Sequence, residues 1–316
     1  MDKRKVISIL LLGLAAFIWG SAFVAQSVGM DYIGPYTFTA MRSFLGGVAL
    51  LPVILWMDKE KNNDRSLKEV DRHQEDKIKA NNKMLYVGGI CCGTAMAIAS
   101  SLQQIGIKYT TVGKAGFITA LYIVIVPILG VFLNKKVRTV VWFSVILALV
   151  GLYFITMTDN LTLQKGDYYM LLCAFFYSIH ILVIDYFSPI VDGIRMSCIQ
   201  LFVCGILCSI PMLVMEHPQV SSIIAAGTPI LYAGILSSGI AFTLQIVAQK
   251  NVNPVIASLI CSLESVFAVL CGWIILKENL TLKELFGCVI VFAAIILAQI
   301  PERKVERTYK NRKDAI

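Results

Sequence analysis

Charged residues are scarce in this chain. They make up 15% of its 316 residues, against ~25% in an average soluble domain. Histidine is scarcer still, with three in all (His73, His180 and His217), so the paired histidines of an H-E-x-x-H metal hydrolase are missing. No G-x-x-x-x-G-K-[ST] loop occurs, and no polar stretch is long enough to fold a nucleotide-binding domain. The nine cysteines all fall within apolar runs, where a thiol behaves as a small apolar side chain, so no disulfide framework is implied. These shortages point away from an enzyme, and neither a cofactor nor a resident metal is expected. Cys204 and Cys208 share a helix face at i,i+4, but with no histidine nearby they read as packing.

What the chain does have is hydrophobic length. Apolar residues make up 57% and the mean hydropathy is +0.75. Ten apolar runs can be marked, at about 6–26, 35–57, 84–104, 112–133, 138–157, 167–187, 193–215, 229–250, 254–276 and 281–300. At ~1.5 Å per residue each approaches the ~30 Å of a bilayer core. Their continuity predicts an all-α polytopic membrane protein rather than a barrel, whose strands would alternate every second residue. The first run follows Lys3, Arg4 and Lys5 but is too long for a signal-peptide core of ~7–15 residues, and it is read as a helix.

The net charge of +8 is explained by topology. With the N-terminus in the cytoplasm and ten crossings, 22 of the 28 basic residues fall on the cytoplasmic side and five outside, as the positive-inside rule requires. Both termini are therefore expected in the cytoplasm, and the partners expected are a lipid bilayer and a small-molecule substrate, with no nucleic acid. The polar stretch 58–83, with eight basic and seven acidic residues, reads as a flexible or partly helical cytoplasmic loop. Residues 301–316 read as a basic cytoplasmic tail.

A repeat runs through the chain. LAAFIWGSAF at 14–23 lines up with LCAFFYSIHI at 172–181, placing Trp19 on Tyr177, and VFLNKKV at 131–137 resembles WIILKENL from residue 273. Each half, 1–157 and 158–300, carries five runs. Five is odd, so the second half enters the membrane from the opposite side. Two inverted five-helix repeats are the plan of alternating-access carriers, whose substrate sits near the midplane between the halves.

Depth then selects candidates. Glu264 is the one charge in the run 254–276 and lies roughly 18 Å from the outer end at helical rise. A carboxylate there needs a partner, a water-filled cavity or a proton. His180 falls at roughly 20 Å and Tyr122 and Tyr177 at roughly 15 Å, with Trp19 at roughly 10 Å. Glu264 is the first candidate for proton coupling, and His180 can relay that proton or touch substrate; each can equally be a hydrogen-bonded structural group. Trp19, Tyr122 and Tyr177 can stack on a substrate or simply pack. Arg42 lies about 10 Å below the outer surface, and either snorkels back to it or faces a cavity. Gln245 and Gln249, at i,i+4, are expected to bond across helices. Pro127 is expected to kink its helix. Ala16 and Gly20 form a small-xxx-small pair for close helix approach. Near the ends, Asn253 with Pro254 reads as a cap, Thr281 with Glu284 as a capping box, and Glu278 as a solvated interfacial residue.

Three stretches carry a family resemblance: WGSAF at 19–23, LQQIGIKYTTVGKAGFITALYIVIVPILG at 102–130, and SSGIAFTLQIVAQKNVNPVIASLICSLESVFAVLCGWIILKENLT at 237–281. They resemble the EamA-type transporters of the drug/metabolite transporter superfamily, over nearly the whole chain outside 58–83 and the tail. The resemblance implies ten helices in two five-helix repeats, and export of a small metabolite, amino acid or drug across the bacterial inner membrane. The expected function is thus secondary active transport, with proton exchange at Glu264 as the coupling, by a monomer or a homodimer. Import or exchange is the alternative, ahead of a channel, a scramblase or a membrane-embedded enzyme. Many members carry Glu-Pro where this chain has Glu264 followed by Ser265, and first repeats often end in an acidic residue where Lys135 stands.

Overall fold

The computed structural model describes residues 3–65, 72–110, 112–134, 137–156, 165–275, 277 and 281–299. Lys135, Glu278, the basic tail and the middle of the 58–83 stretch lie outside the described residues. The described residues are helical throughout, with no strand among them. In chain order the helices are α1 (Lys3–Gly29), α2 (Pro35–Arg65), α3 (Arg72–Ile107), α4 (Val112–Ala120), α5 (Tyr122–Phe132), α6 (Thr139–Thr156), α7 (Lys165–Phe187) and α8 (Gly193–Pro211). There follow a short π-helical segment (Met212–Glu216), α9 (Val220–Ala225), α10 (Gly227–Leu231), a ten-residue π-helical segment (Tyr232–Ala241), α11 (Phe242–Gln249), α12 (Pro254–Cys261), α13 (Leu263–Ile275) and α14 (Leu282–Gln299).

Among the described residues, eight helical stretches are long and apolar enough to cross a membrane, and Thr139–Phe154 is apolar but shorter. The polarity of the molecule is inverted relative to a soluble protein. Leu10, Phe17, Phe143, Ile146, Ile210 and Phe132 are exposed, whereas Arg42, Gln104, Asp167, His180, Gln200 and Glu264 are buried. With no water in the bilayer core, polar groups must find partners inside the bundle, and apolar side chains face lipid at no cost. The chain is a multi-pass membrane protein. The 58–83 stretch is helical at both sides of its undescribed middle, since α2 runs on to Arg65 and α3 starts at Arg72.

Local signals set the helix ends. Asn253 accepts from Val255 N at 2.9 Å with Pro254 in the first turn, as expected of an Asn-Pro start. Thr281 and Glu284 form the expected capping box: Glu284 Oε2 accepts from Thr281 N at 2.7 Å, and Thr281 Oγ1 from Glu284 N at 3.2 Å. The start of α2 is capped from a distance. Glu216, at the end of the first π-helical segment, accepts from Tyr36 N, Thr37 N and Thr37 Oγ1 at 2.6 to 2.9 Å, placing a carboxylate on the positive end of the α2 dipole.

Packing is reciprocal between the halves. α1 packs on the ten-residue π-helical segment, α11 and α13, while α7 packs on α3, α4 and α5. α2 pairs with α8, and α6 with α14. Each half's first helix thus leans on the third and fourth runs of the other half. Gly20 makes one such approach possible: a Cβ there would meet Phe267 Cβ at 2.5 Å, Glu264 O at 2.7 Å and Ala268 N at 2.8 Å. Gly20 of the Ala16/Gly20 pair therefore makes the close contact its spacing suggests, and that contact falls on the backbone at Glu264. Ion pairs tie the halves near both ends of the bundle. Lys114 Nζ lies 2.6 Å from the buried Asp167 where α4 and α7 begin, and Arg195 bonds Asp58 where α8 begins.

Candidate functional site

In two membrane-crossing runs the helix tightens close to a candidate side chain. Leu121 separates α4 from α5 with φ −60° and ψ −11°, and Ser262 separates α12 from α13 with φ −63° and ψ −13°. At each, the ladder tightens to i→i+3: Leu121 N bonds Ile118 O at 3.2 Å, and Ser265 N bonds Ser262 O at 3.1 Å. Tyr122 is the residue after Leu121, and Glu264 lies two residues after Ser262. The interruption falls at Leu121 rather than at Pro127, which stands within α5.

The breaks are joined by side chains. Tyr122 Oη donates to Glu264 Oε1 at 2.9 Å, and Ser265 Oγ donates to Gly116 O at 2.7 Å. Glu264 is 5% exposed and Tyr122 3%. A buried carboxyl is costly unless hydrogen-bonded, and the phenol supplies one such bond.

Glu264 and Tyr122 line a central cavity with Trp19, Tyr177, Arg42, Gln26, Gln103, Gln245, Phe23 and Phe242 among others. Measured by where a water molecule can be centred, the cavity is about 30 Å³, room for about two waters. The site as it stands is narrow, with space for water but not for an organic solute.

Trp19 Nε1 donates to Ser237 O at 3.3 Å, on the long π-helical segment, and its ring lies 5.0 Å from that of Phe242. Tyr177 Oη bonds Ser100 Oγ at 3.1 Å and Gln103 Oε1 at 3.4 Å. Of the five residues singled out by depth, four therefore meet in one cavity. His180 does not line it. Fully buried, it bonds Gln200 Oε1 through Nε2 at 3.0 Å and sets its ring edgewise to Tyr177 and Phe242. It stands in the wall behind them.

Arg42 takes the second of its two sequence readings. At 1% exposure it cannot be snorkelling; it lines the cavity, and its Nε and Nη2 have no hydrogen-bond partner. The two glutamines of α11 part company. Gln249 Nε2 bonds Ile181 O at 3.1 Å across helices, as expected, while Gln245 faces the cavity with Oε1 unpartnered. Gln26 was not a sequence candidate, yet a lone amide near the end of an apolar run was the available signal. Phe23 and Phe242 carried none, being apolar residues in apolar runs.

No cluster of three or more His, Cys, Asp or Glu suited to a metal occurs among the described residues. Cys204 accepts from Ser43 Oγ at 3.3 Å, and Cys208 lies 3.4 Å from Ser101 Oγ, so these thiols serve helix contacts.

The EamA-like transporter family matches this sequence twice, over residues 6–157 and 164–299. The chain belongs to that family. As an EamA-like protein it is 28% identical over 300 residues to an uncharacterized transporter of Archaeoglobus fulgidus, covering 94% of this chain and 87% of that one. It is 23% identical to the uncharacterized transporter YoaV of Bacillus subtilis, covering 91% and 95%. A crystal structure described only as that of a protein superposes with a TM-score of 0.71 at 15% identity, covering 92% of this chain and 96% of the other, a likeness of fold. This EamA-like chain is a membrane transporter.

Proposed function

We propose that the protein is a secondary carrier of the cytoplasmic membrane that exports a small organic solute by alternating access, with proton exchange at Glu264. The reading takes ten spans as two inverted five-helix halves, 1–157 and 158–300, with both termini in the cytoplasm. Reciprocal packing supports it: like pairs with like in α2 with α8 and α6 with α14, and each first helix leans on the opposite half. So do the two family matches, one per half. Export, rather than import or exchange, rests on the family likeness.

One observation carries the proposal. The Glu264–Tyr122 bond joins two runs, one from each half, close to a tightened turn in each and beside a narrow cavity. Carriers bind solute and coupling ion near the midplane, where their two halves meet. If Glu264 holds either a proton or the solute, but not both, flow of one drives the other. Trp19, Tyr122 and Tyr177 form the wall against which the solute rests, and His180 stiffens it.

Proteoliposomes loaded with a mixed pool of small metabolites test this. The expected result is counterflow: external unlabelled solute accelerates exit of the same labelled solute, and an imposed pH gradient drives net movement. Exit unaffected by solute on the far side would replace the carrier with a channel.

A further inference from the structure

Arg42 and Glu264 are the two charged residues of the cavity wall, and they are not paired with each other: among the described residues no ion pair joins them. Glu264 has Tyr122. Arg42 has no acceptor for Nε or Nη2, both of which are buried. A guanidinium is always charged and carries five donors in a rigid fork. Leaving two of those donors unmet inside a membrane bundle is costly.

The two unmet donors are adjacent. Nε–H and Nη2–H point the same way along one edge of the guanidinium, and that edge is the one that receives both oxygens of a carboxylate in parallel. The rest of the wall fits an organic body. Trp19, Phe23 and Phe242 supply apolar and aromatic surface, and Gln26 and Gln245 present unpartnered Oε1 atoms, which accept hydrogen bonds. One guanidinium facing one carboxylate is balanced; a doubly charged phosphate on the same edge would leave excess negative charge close to Glu264.

We propose that Arg42 is the anchor for the transported solute, holding a carboxylate edge-on through Nε and Nη2. A hydroxyl or amine on the same solute faces Gln26 and Gln245. This deepens the carrier reading and rests on it, since the cavity is taken as the solute's path. It commits the substrate to organic acids and against cationic or uncharged drugs.

The test uses the purified full chain in detergent and in proteoliposomes, with two probe series. One is lactate with its methyl ester; the other is 3-phenylpropanoate with its methyl ester, 3-phenylpropylamine and 2-phenylethylphosphonate. Ligand-dependent shifts of the thermal unfolding midpoint report affinity. Acids of at least one series are expected to stabilise the wild type saturably, with esters and amine inert. Arg42→Gln should weaken that binding at least roughly tenfold, the scale of a lost charged hydrogen bond, and Arg42→Lys should restore part of it.

The acid–ester comparison needs no variant, so it decides even if Arg42→Gln does not fold. Equal binding of ester and acid, better binding of the amine, or no binding by any acid of either series overturns the proposal. Tighter binding of the phosphonate than the carboxylate also overturns it, assigning Arg42 to a phosphorylated solute. Acid binding without counterflow would remove the carrier reading and leave Arg42 as the anion site. Counterflow that ignores the acid–ester difference would do the reverse.

Discussion

The runs 112–132 and 254–275 are broken by the same turn, with backbone angles that agree within a few degrees at Leu121 and Ser262. Their chemistry differs. The first break is followed by a phenol, the second by a carboxyl. Their surroundings differ as well: over the most apolar 18 residues, 83% of the second run is buried, against 56% of the first. The first helices that lean on them are unlike at one aligned position. Gly20 brings α1 directly onto Glu264 and Phe267, whereas the corresponding Ser178 of α7 turns its hydroxyl back to Ala174 O at 2.7 Å. The carboxyl thus sits on the better-buried of the two runs and the phenol on the other. If coupling resides there, the halves are symmetric in motion and asymmetric in charge.

The sharpest way to break that comparison is to remove the charge. Glu264→Gln keeps shape and a hydrogen-bond acceptor for Tyr122, so folding should be unchanged. Transport driven by a pH gradient should fall at least ~100-fold, the effect expected on removing a proton-transfer group, while solute counterflow persists. Gradient-driven transport that survives Glu264→Gln would move the coupling group elsewhere. The next largest effect concerns packing. Gly20→Ala places a methyl within 3 Å of Phe267 Cβ and of the backbone at Glu264 and Ala268, and overpacking of this kind costs about 1–3 kcal/mol. Thermal unfolding should reveal it, with Gly13→Ala as control, because a Cβ at Gly13 meets nothing within 4 Å.

Much of this architecture is legible in the sequence, because a bilayer imposes long apolar runs and capping motifs mark their ends. The runs 35–57 and 193–215 lie within helices that start at the expected residue. The broken runs were harder to read. Leu121 carries no break signal, and Pro127, which does, stands within α5; Leu121 packs against a cluster that includes Met170 and Ala268 of the second half. Glu264 was found through its depth, since a carboxyl in an apolar run is rare. Arg42 remained ambiguous because a long side chain near the surface has two outcomes that depend on its neighbours, and the sequence does not say which helices those are. His180 shared the right depth yet stands behind the wall, since depth along a helix does not fix the direction a side chain faces around it.

Two smaller substitutions separate the roles of the bonds that join the breaks. Tyr122→Phe removes the one protein donor to Glu264 Oε1. The ring still fills its place, so the loss is that of one hydrogen bond to a charged group, about 1.5–3 kcal/mol when the carboxyl is ionised. Gradient-driven transport should drop roughly tenfold, and the unfolding temperature should fall as well. Ser265→Ala removes the bond to Gly116 O, a neutral bond worth about 1 kcal/mol. Gly116 O retains its place in the α4 ladder, so no buried group is stranded, and a Cβ at Gly116 would sit only in ordinary contact with Ser265. Ser265→Ala should therefore lower the unfolding temperature slightly and leave proton coupling intact. If instead Ser265→Ala uncouples transport as strongly as Tyr122→Phe, the link between the two broken runs acts through their backbone contact. The Tyr122–Glu264 hydrogen bond would then be a consequence of that contact and not its purpose.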